Sequence, residues 1–358
     1  MQDVTIITGG AGFIGCSLSQ ALGSTAGKIV ALDNMHPQVH RSPDRPVRLH
    51  EDVELIKADV RDPDAWDSVL RRYEPKTVIH LAAETGTAQS LTESTRHSTV
   101  NVVGTTQMLD AFVRAKVMPQ HIILASSRAV YGEGSWRSSN GEDFYPPPRS
   151  HERLVRSAWD FDLDGVESKA LPHRAKSTFP KPTSIYGATK LAQEQIISAW
   201  ASAMNVPATI LRFQNVYGPG QSPFNSYTGI INIFHRVAYS GGAIDVYEDG
   251  LIGRDFVFID DVVKAVGAAQ ANPPSALRLL DVGTGTATTI LEAANHIASL
   301  YNAPAPIITG KFRDGDVRWA VCDTQDLASE LGVRCEIDFL TAGAKVVGQW
   351  LVANGYLG

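Results

Sequence analysis

The sequence has few cysteines, no long hydrophobic run and no excess of positive charge. Its three cysteines, Cys16, Cys322 and Cys335, have no paired short spacing, so neither a disulfide framework nor a metal site of the zinc type is expected. No apolar run approaches the roughly 20 residues of a membrane-spanning helix, and no charged leader precedes the first apolar run. We therefore expect no signal peptide, no membrane association and a place in the reducing cytoplasm.

The charge balance argues against one class of partner. The formal net charge is −6 at pH 7, whereas proteins that bind nucleic acids usually show a basic excess. A few local arginines could still bind a small anion. With 44% hydrophobic and 20% charged residues, the chain has the composition of a folded globular protein rather than a disordered one. Its 358 residues suffice for one large α/β domain with a smaller lobe, or for two ordinary domains.

Short apolar runs alternate with longer helical patterns. Strands are predicted at residues 4–8, 28–32, 54–58, 77–81, 121–125, 207–212 and 279–282, and helices at 12–23, 63–73, 99–115, 183–204 and 257–271. This alternation is typical of an α/β fold, here a Rossmann-type doubly wound parallel sheet. The sheet domain is expected to span residues 1–215, with 256–283 returning to it. Residues 216–255 and 284–358, which are less regular, are expected to form mainly a smaller, discontinuous C-terminal substrate lobe.

Residues 133–182 interrupt the alternation. The segment contains the prolines 146–148 and the tryptophans Trp136 and Trp159, but no clear strand. It is too long for an ordinary connection between elements of a compact domain. It is interpreted either as a lid or substrate-facing insertion, or as a tolerated surface excursion, and the sequence favours neither.

A glycine-rich turn follows the first predicted strand. Gly9, Gly12 and Gly15 are spaced to make a tight turn, to admit a pyrophosphate against bare backbone and to let the next helix pack closely. The next strand ends at Asp33, whose carboxylate could bind the ribose hydroxyls of an adenosine and would repel a 2′-phosphate, so NAD is favoured over NADP. The alternative is a glycine-rich turn in some other doubly wound protein. Asp59, at the end of the third strand, could meet the adenine or be a surface acid.

A second pattern suggests proton transfer. Tyr186 and Lys190 are spaced i and i+4 and so share one face of a predicted helix. A phenol ordinarily has a pKa near 10, but a neighbouring ammonium and a positive nicotinamide would both favour the phenolate. Ser127 ends an earlier strand and could hydrogen-bond the same substrate hydroxyl. The alternative is an ordinary solvated helix face.

Together these features resemble the extended short-chain dehydrogenase/reductase family, specifically its nucleotide-sugar epimerases and dehydratases. The resemblance covers nearly the whole chain and rests on residues 8–15, 33, 58–60, 80–83, 126–132, 186–190, 211–219, 254–257 and 315–318. Within the family, residues 126–134, the long insertion and residues 247–250 are most similar to dTDP-L-rhamnose 4-epimerase-like enzymes. Some of those relatives hold cysteines in the insertion; this chain has none there, so no metal is expected.

The resemblance implies a set of site residues. The residues expected to be catalytic are Ser127, Tyr186 and Lys190. Those expected to contact NAD are Gly9, Gly12, Phe13, Ile14, Gly15, Asp33, Asn34, Asp59, Val60, Leu81, Ala82, Ala83, Tyr186 and Lys190. Those expected to bind the nucleotide-diphosphate sugar are Thr85, Ser127, Arg128, Asn215, Tyr247, Arg254 and Arg318, since guanidinium groups chelate phosphate oxygens. The loops at residues 85–89 and 228–229 are expected to face the sugar. A homodimer through helices 99–115 and 183–204 is also implied.

The reaction is inferred from one pair of residues. Family dehydratases carry two acids between the catalytic serine or threonine and the Val-Tyr-Gly motif, where this chain has Arg128 and Ala129. Neither side chain is an acid, so elimination and the related decarboxylation are disfavoured. Redox chemistry at one carbinol carbon remains, most simply 4-epimerisation through a transient 4-ketosugar. A ketosugar reductase and a non-catalytic NAD-sensing regulator remain as alternatives.

Overall fold

The computed structural model describes residues 3–23, 27–224 and 229–357. Its strands, in chain order, are β1 Val4–Thr8, β2 Lys28–Asp33, β3 Glu54–Lys57, β4 Thr77–His80, β5 His121–Ser127, β6 Trp136–Ser138, β7 Asp143–Phe144, β8 Asp162–Leu163, β9 Val166–Ala170, β10 Ala208–Phe213, β11 Asn215–Tyr217, β12 Asp245–Val246, β13 Gly253–Arg254, β14 Phe256–Phe258, β15 Leu277–Val282, β16 Thr288–Thr289, β17 Ile307–Ile308 and β18 Trp319–Ala320.

The helices complete the framework. In chain order they are α1 Phe13–Leu22, α2 Pro63–Arg72, α3 Thr87–Thr92, α4 Ser94–Ser98, α5 Gly104–Ala115, α6 His151–Val155, α7 Ile185–Met204, α8 Ile230–Tyr239, α9 Ile259–Ala271, α10 Ile290–Leu300, α11 Gln325–Leu331 and α12 Ala344–Ala353. π-helical turns at Thr99–Val103 and Phe339–Gly343 lead into α5 and α12, and a 3₁₀ turn spans Arg128–Tyr131.

Seven parallel strands form the central sheet in the order β15-β10-β5-β4-β1-β2-β3. Its strands are apolar on both sides because helices cover both faces. One face packs with α1 and α9 around residues such as Ile7 and Ile123, and the other with α2, α5 and α7 around residues such as Ile6 and Phe112. The predicted doubly wound parallel fold is confirmed.

A smaller lobe is built from α8, α10 and α12. Its own apolar cluster includes Tyr217, Phe256 and Phe339, and the rings of Phe256 and Phe339 stack with centroids 4.7 Å apart. Two predictions about local structure were wrong here. The stretch after residue 216 contains the regular helix α8, and residues 256–258 form strand β14 beside β11 rather than the start of helix α9.

Residues 133–182, from here on the insertion, also differ from the prediction. They contain a four-stranded antiparallel sheet in the order β7-β6-β9-β8. These strands have two to five residues and β9 is only half-buried, so they lack the long apolar runs by which a strand is recognised. Trp136 is buried and its ring packs edge-on against Phe161 at 5.0 Å. The insertion therefore has a small apolar centre of its own.

Candidate active site

A cleft of about 940 Å³ opens at the carboxyl ends of the central strands, between the two lobes. Ligands bind at this edge of open α/β sheets because the loops that follow the strands meet there. The cleft brings together nearly all of the residues predicted to form the site. Those that line it are Gly9, Gly12, Phe13, Ile14, Gly15, Asp33, Asn34, Val60, Leu81, Ala82, Ala83, Thr85, Ser127, Arg128, Tyr186, Lys190, Asn215, Tyr247 and Arg254. Asp59 and Arg318 are not among them.

The glycine turn between β1 and α1 forms a cradle of bare backbone. Gly9 has a φ of +65°, and a Cβ added there would lie 2.9 Å from the backbone nitrogen of Ala82. A Cβ on Gly15 would lie 2.5 Å from the carbonyl oxygen of Gly10. Gly12 caps α1 without a side-chain hydrogen bond, which leaves N–H groups at the helix N-terminus free for a phosphate. These features fit the pyrophosphate of a dinucleotide.

Asp33 is fixed at the end of β2. Its two carboxylate oxygens accept hydrogen bonds from the backbone N–H groups of Ala11 at 3.0 Å and Met35 at 2.9 Å. Each oxygen keeps a lone pair that can accept from a ribose hydroxyl. The fixed negative charge at this position fits NAD.

Asp59 does not reach the cleft. Burial raises its pKa, but hydrogen bonds from Arg61 and Asn34 outweigh this and bring the pKa to about 2. Arg61 holds the carboxylate through Nε at 2.9 Å and Nη2 at 2.8 Å. The structure gives Asp59 partners within the protein, as in the surface-acid alternative, and does not support an adenine contact. Its neighbour Val60 does line the cleft.

The three candidate catalytic residues come from two elements that pack closely. Ser127 ends β5, and Tyr186 and Lys190 lie on α7, whose first turn is capped by Ser184. A Cβ on Gly187 would lie 2.5 Å from the carbonyl oxygen of Ala129. Glycine at this position therefore lets α7 approach the turn that follows Ser127, and this approach brings the phenol to the serine.

Burial dominates the electrostatics of Tyr186 and Lys190. In the protein alone burial raises the pKa of Tyr186, while its hydrogen bond with Ser127 and the charge of Arg128 lower it. Burial also lowers the pKa of Lys190 to about 7, with the charge of Glu194 acting in the opposite direction. In the protein alone burial therefore favours the neutral phenol, and the positive nicotinamide of a bound cofactor would favour the phenolate.

Arg128 and Arg254 line the other side of the cleft together with the acids Asp314 and Asp316. Arg128 Nε donates to Oδ1 of Asn215 at 2.6 Å, and Arg254 Nη2 donates to Oδ1 of Asp316 at 2.7 Å. Burial and the nearby charge of Arg254 lower the pKa of Arg128 to about 9. A diphosphate placed here would relieve the repulsion between the two cations.

Arg318 was expected to bind the same diphosphate, and the structure does not support this. Its side chain is 2% exposed and lies outside the cleft. It is surrounded by acids: Nε donates to Asp160 at 2.7 Å, and Nη1 donates to Asp249 at 2.7 Å and Glu248 at 3.2 Å. These carboxylates satisfy its charge within the protein.

Arg313 is one of the cleft residues that the sequence reasoning missed. Its guanidinium lies over the ring of Tyr247, 5.2 Å from the centroid, and both residues line the cleft. The signal was present, because Arg313 and Arg318 flank the same glycine-containing segment at residues 314–317. Only the path of the chain decides which of the two faces the ligand.

The insertion lies beside the C-terminal lobe rather than over the cleft. None of its described residues lines the cleft. Arg149 Nη1 meets Glu248 at 2.8 Å, and His173 exchanges backbone hydrogen bonds with Val321 and Asp323. The lid interpretation is therefore not supported by this structure.

The loops expected to face the sugar are only partly placed there. Thr85, Gly86, Thr87 and Gly229 line the cleft, but Gln89 does not; its amide instead bonds with Gln38 and Glu93. Thr228 lies outside the described residues.

Within the described parts of the chain no helix is both long and apolar enough to span a membrane.

A cleft with a dinucleotide cradle on one side and a tyrosine, a lysine and a serine facing it is the arrangement of an NAD-dependent Rossmann enzyme that oxidises and reduces a carbinol carbon. The model of the NAD dependent epimerase/dehydratase family matches residues 5–152 and 165–280. The chain belongs to this family.

Individual relatives agree with the family assignment. The chain is 53% identical over 327 residues to dTDP-L-rhamnose 4-epimerase of Burkholderia thailandensis, covering 91% of this chain and 89% of the relative. It is 27% identical to MoeE5, solved with UDP-glucuronic acid and NAD, with a TM-score of 0.75 and 98% and 99% of the two chains covered. A UDP-glucose 4-epimerase structure from Thermotoga maritima shares the fold, with a TM-score of 0.80 at 23% identity and the same coverage. These comparisons support NAD-dependent nucleotide-sugar epimerisation as the activity.

Proposed function

We propose that this enzyme inverts C4 of a dTDP-linked 6-deoxyhexose, with dTDP-L-rhamnose as the best candidate. The substrate assignment is supported by the 53% identity to the Burkholderia enzyme over most of both chains. The reaction type is supported by the cleft itself, where Ser127 and Tyr186 meet but Arg128 and Ala129 occupy the positions of the dehydratase acids. Without an acid there, loss of the neighbouring hydroxyl as water has no proton donor at the expected place.

Each candidate catalytic residue has a role that fits its surroundings. The glycine cradle and Asp33 would hold NAD, which when bound would supply reversible hydride transfer at C4. Tyr186 accepts the proton of the C4 hydroxyl and gives it back when the alcohol is restored. Ser127, in hydrogen-bond contact with the phenol, orients that hydroxyl. Lys190, when protonated, places a positive charge one helical turn from Tyr186 and favours the phenolate.

The cleft offers distinct environments for the parts of the substrate. Arg128, Arg254, Arg313 and Asn215 together offer hydrogen-bond donors suited to the diphosphate. Beyond them an apolar end suits the nucleotide base, and it is lined by Ile233, Phe234, Val237, Ile244, Ile252 and Ile290. The sugar would then extend toward Thr85 and Ser127. Arg313 replaces Arg318 in this assignment.

A homodimer in the cytoplasm completes the proposal. Helices α5 and α7 carry exposed apolar side chains, among them Val103 just before α5, Val113 and Met204, which would be covered if two copies packed these helices together. Cys16 and Cys322 are buried free thiols, as is common in a reducing compartment. Sedimentation of a single species at twice the chain mass is the expected result; a monomer at micromolar concentration would contradict the dimer.

The substrate assignment is tested by product analysis. The purified enzyme is incubated with dTDP-L-rhamnose, and in parallel with UDP-glucose and UDP-glucuronic acid, and the ring protons are followed by NMR. The expected result is an equilibrium mixture of C4 epimers from the dTDP sugar without net cofactor consumption. Oxidation of the sugar to a ketosugar, with one added NAD reduced per product, would favour the ketosugar reductase running in reverse. No turnover of any sugar, with NAD still bound, would favour the NAD-sensing regulator.

A further inference from the structure

Lys190 is held by a glutamine one turn further along α7. Its Nζ donates to Oε1 of Gln193 at 2.7 Å. The lysine is 3% exposed and the glutamine is fully buried, so water does not compete for this contact. A buried ammonium without an acceptor loses much of its preference for the charged form. The amide oxygen of Gln193 is therefore the neutral acceptor that orients this ammonium.

The amide of Gln193 is itself fixed in one orientation. The hydroxyl of Thr105 donates its single proton to the carbonyl of Asn101 at 2.6 Å. Its oxygen must therefore accept from the other two neighbours, Gln193 Nε2 at 2.7 Å and His80 Nε2 at 3.0 Å. With its NH₂ group committed to Thr105, Gln193 can present only its oxygen to Lys190.

The chain of hydrogen bonds continues to the cofactor cradle. His80 carries its proton on Nε2, so Nδ1 accepts from the hydroxyl of Thr8 at 2.7 Å. Burial lowers the pKa of His80 to about 3, with the charge of Lys190 acting in the same direction, and the ring is neutral at physiological pH. Thr8 immediately precedes Gly9 and its oxygen accepts from the N–H of Ala82 at 3.2 Å. Both Gly9 and Ala82 line the cleft.

We propose that Gln193, oriented by Thr105 and His80, is a positioning residue that aims the ammonium of Lys190 into the cleft beside Tyr186. The inference rests on the proposed function for its role in turnover, but the position of the ammonium is a property of the chain alone. The charged and titratable groups around Lys190 are Glu194 and Tyr186 on the same helix and His80 on β4. Only Glu194 adds a negative charge, and it is committed to Arg212 through two hydrogen bonds of 2.9 and 2.6 Å.

Two substitutions at position 193 separate this role from a merely structural one. Gln193→Met has a similar volume but no acceptor, so the ammonium is destabilised and the lysine titrates at lower pH. Gln193→Glu keeps an oxygen acceptor and adds a negative charge, so the lysine titrates at higher pH. A residue that only fills space would give the same small effect in both variants.

The decisive measurement follows the ¹³Cε resonance of Lys190 in lysine-labelled, cofactor-free protein as a function of pH, with Lys190→Met used to assign the signal. The expected order of titration midpoints is Gln193→Glu above wild type above Gln193→Met. Gln270→Met is the matched control, because the Gln270 amide donates to Thr5 at 2.9 Å from α9; it should leave the midpoint unchanged. Identical midpoints in wild type and both Gln193 variants would overturn the proposal, whatever sugar the enzyme uses.

Turnover and cofactor binding provide the second readout. Loss of one hydrogen bond to a charged group is expected to lower kcat roughly 10- to 100-fold in Gln193→Met, with the alkaline limb of its pH profile moved to lower pH. Gln193→Glu should recover the alkaline limb. If Gln193→Met does not fold, Thr105→Val and Thr105→Ser replace it, since only the serine retains the hydroxyl that orients Gln193. Equal activity and equal alkaline limbs in the two Thr105 variants would count against the orientation of Gln193 by Thr105.

Discussion

Arg128 Nε donates to Oδ1 of Asn215 at 2.6 Å. This bond joins the residue that follows the candidate catalytic serine to Asn215, the first residue of β11, just beyond the neighbouring strands β5 and β10. One guanidinium therefore touches both the catalytic turn and the diphosphate region. Its charge also lowers the pKa of Tyr186, so the group that would bind the substrate also favours ionisation of the base.

Replacing Arg128 should affect substrate binding and the base together. Arg128→Met removes a charged hydrogen-bond donor and should raise KM for the nucleotide sugar roughly 10- to 100-fold. The acid limb of the kcat profile should move to higher pH, because the phenol loses a neighbouring cation. Arg128→Lys should retain much of the pH profile but not the KM. Steady-state kinetics between pH 6 and about 9 would show this, and an unchanged KM in Arg128→Met would remove the arginine from the phosphate site.

Tyr186→Phe should abolish turnover without preventing folding. The phenol is the proposed proton acceptor, so its removal should lower kcat by at least ~10²-fold. NAD binding should persist, since the glycine cradle and Asp33 are untouched. Cofactor content of the purified variant and its rate with the nucleotide sugar are the two measurements. A rate close to wild type would exclude this role for Tyr186.

The arginines of the C-terminal lobe should divide into two classes. Arg254→Ala and Arg313→Ala remove charges that face the cleft and should chiefly raise KM, because the diphosphate is held alike in the ground and transition states. Thermal unfolding should change little in Arg313→Ala, whose side chain is exposed. If neither variant alters KM, the diphosphate lies elsewhere.

Arg318→Ala should instead destabilise the fold. Its removal takes one partner from the buried Glu248, and it also takes a partner from Asp160 and Asp249. Breaking a buried ion pair typically costs 3–5 kcal/mol, and we expect a loss of about 2–4 kcal/mol in the free energy of unfolding here. Urea unfolding should show the loss directly. Arg318→Met, which retains the apolar stem but not the charge, should behave similarly. A stable Arg318→Ala enzyme with a raised KM would reverse the assignment of Arg313 and Arg318.

Asp281 predicts a pH dependence of stability. Burial raises its pKa to about 7, against the hydrogen bond from Tyr131 and the charge of Arg212. Because the folded-state pKa lies above the unfolded value, the folded state favours the protonated carboxyl. This contribution to the free energy of unfolding is fully present below about pH 4 and is lost as the pH rises through about 7. The side chain in Asp281→Asn does not titrate, so between pH 5 and 8 the Tm of this variant should rise relative to that of wild type. The corresponding gain in the free energy of unfolding should be on the order of 2–4 kcal/mol. Asp52→Asn, at a side chain 77% exposed, should show no such trend.

Local patterns were enough to predict the framework of the protein. The seven strands of the central sheet, the glycine turn and the spacing of Tyr186 and Lys190 follow from periodicity and from residue types that only certain backbone conformations admit. The insertion was misread because its strands are too short to show a period. The start of α9 was misplaced because Phe256–Phe258, apolar like a buried helix, pairs instead with β11.

The sequence by itself determined the doubly wound fold and the cofactor, and it named the candidate catalytic residues, because each depends on a short stretch of chain and its backbone geometry. Only the tertiary structure decided which charges face the ligand. Arg313 and Arg318 are five residues apart and chemically identical, yet one lies over Tyr247 in the cleft and the other is buried among Asp160, Glu248 and Asp249. The fate of a charged side chain depends on partners distant in sequence, since burial is tolerated only where opposite charges converge.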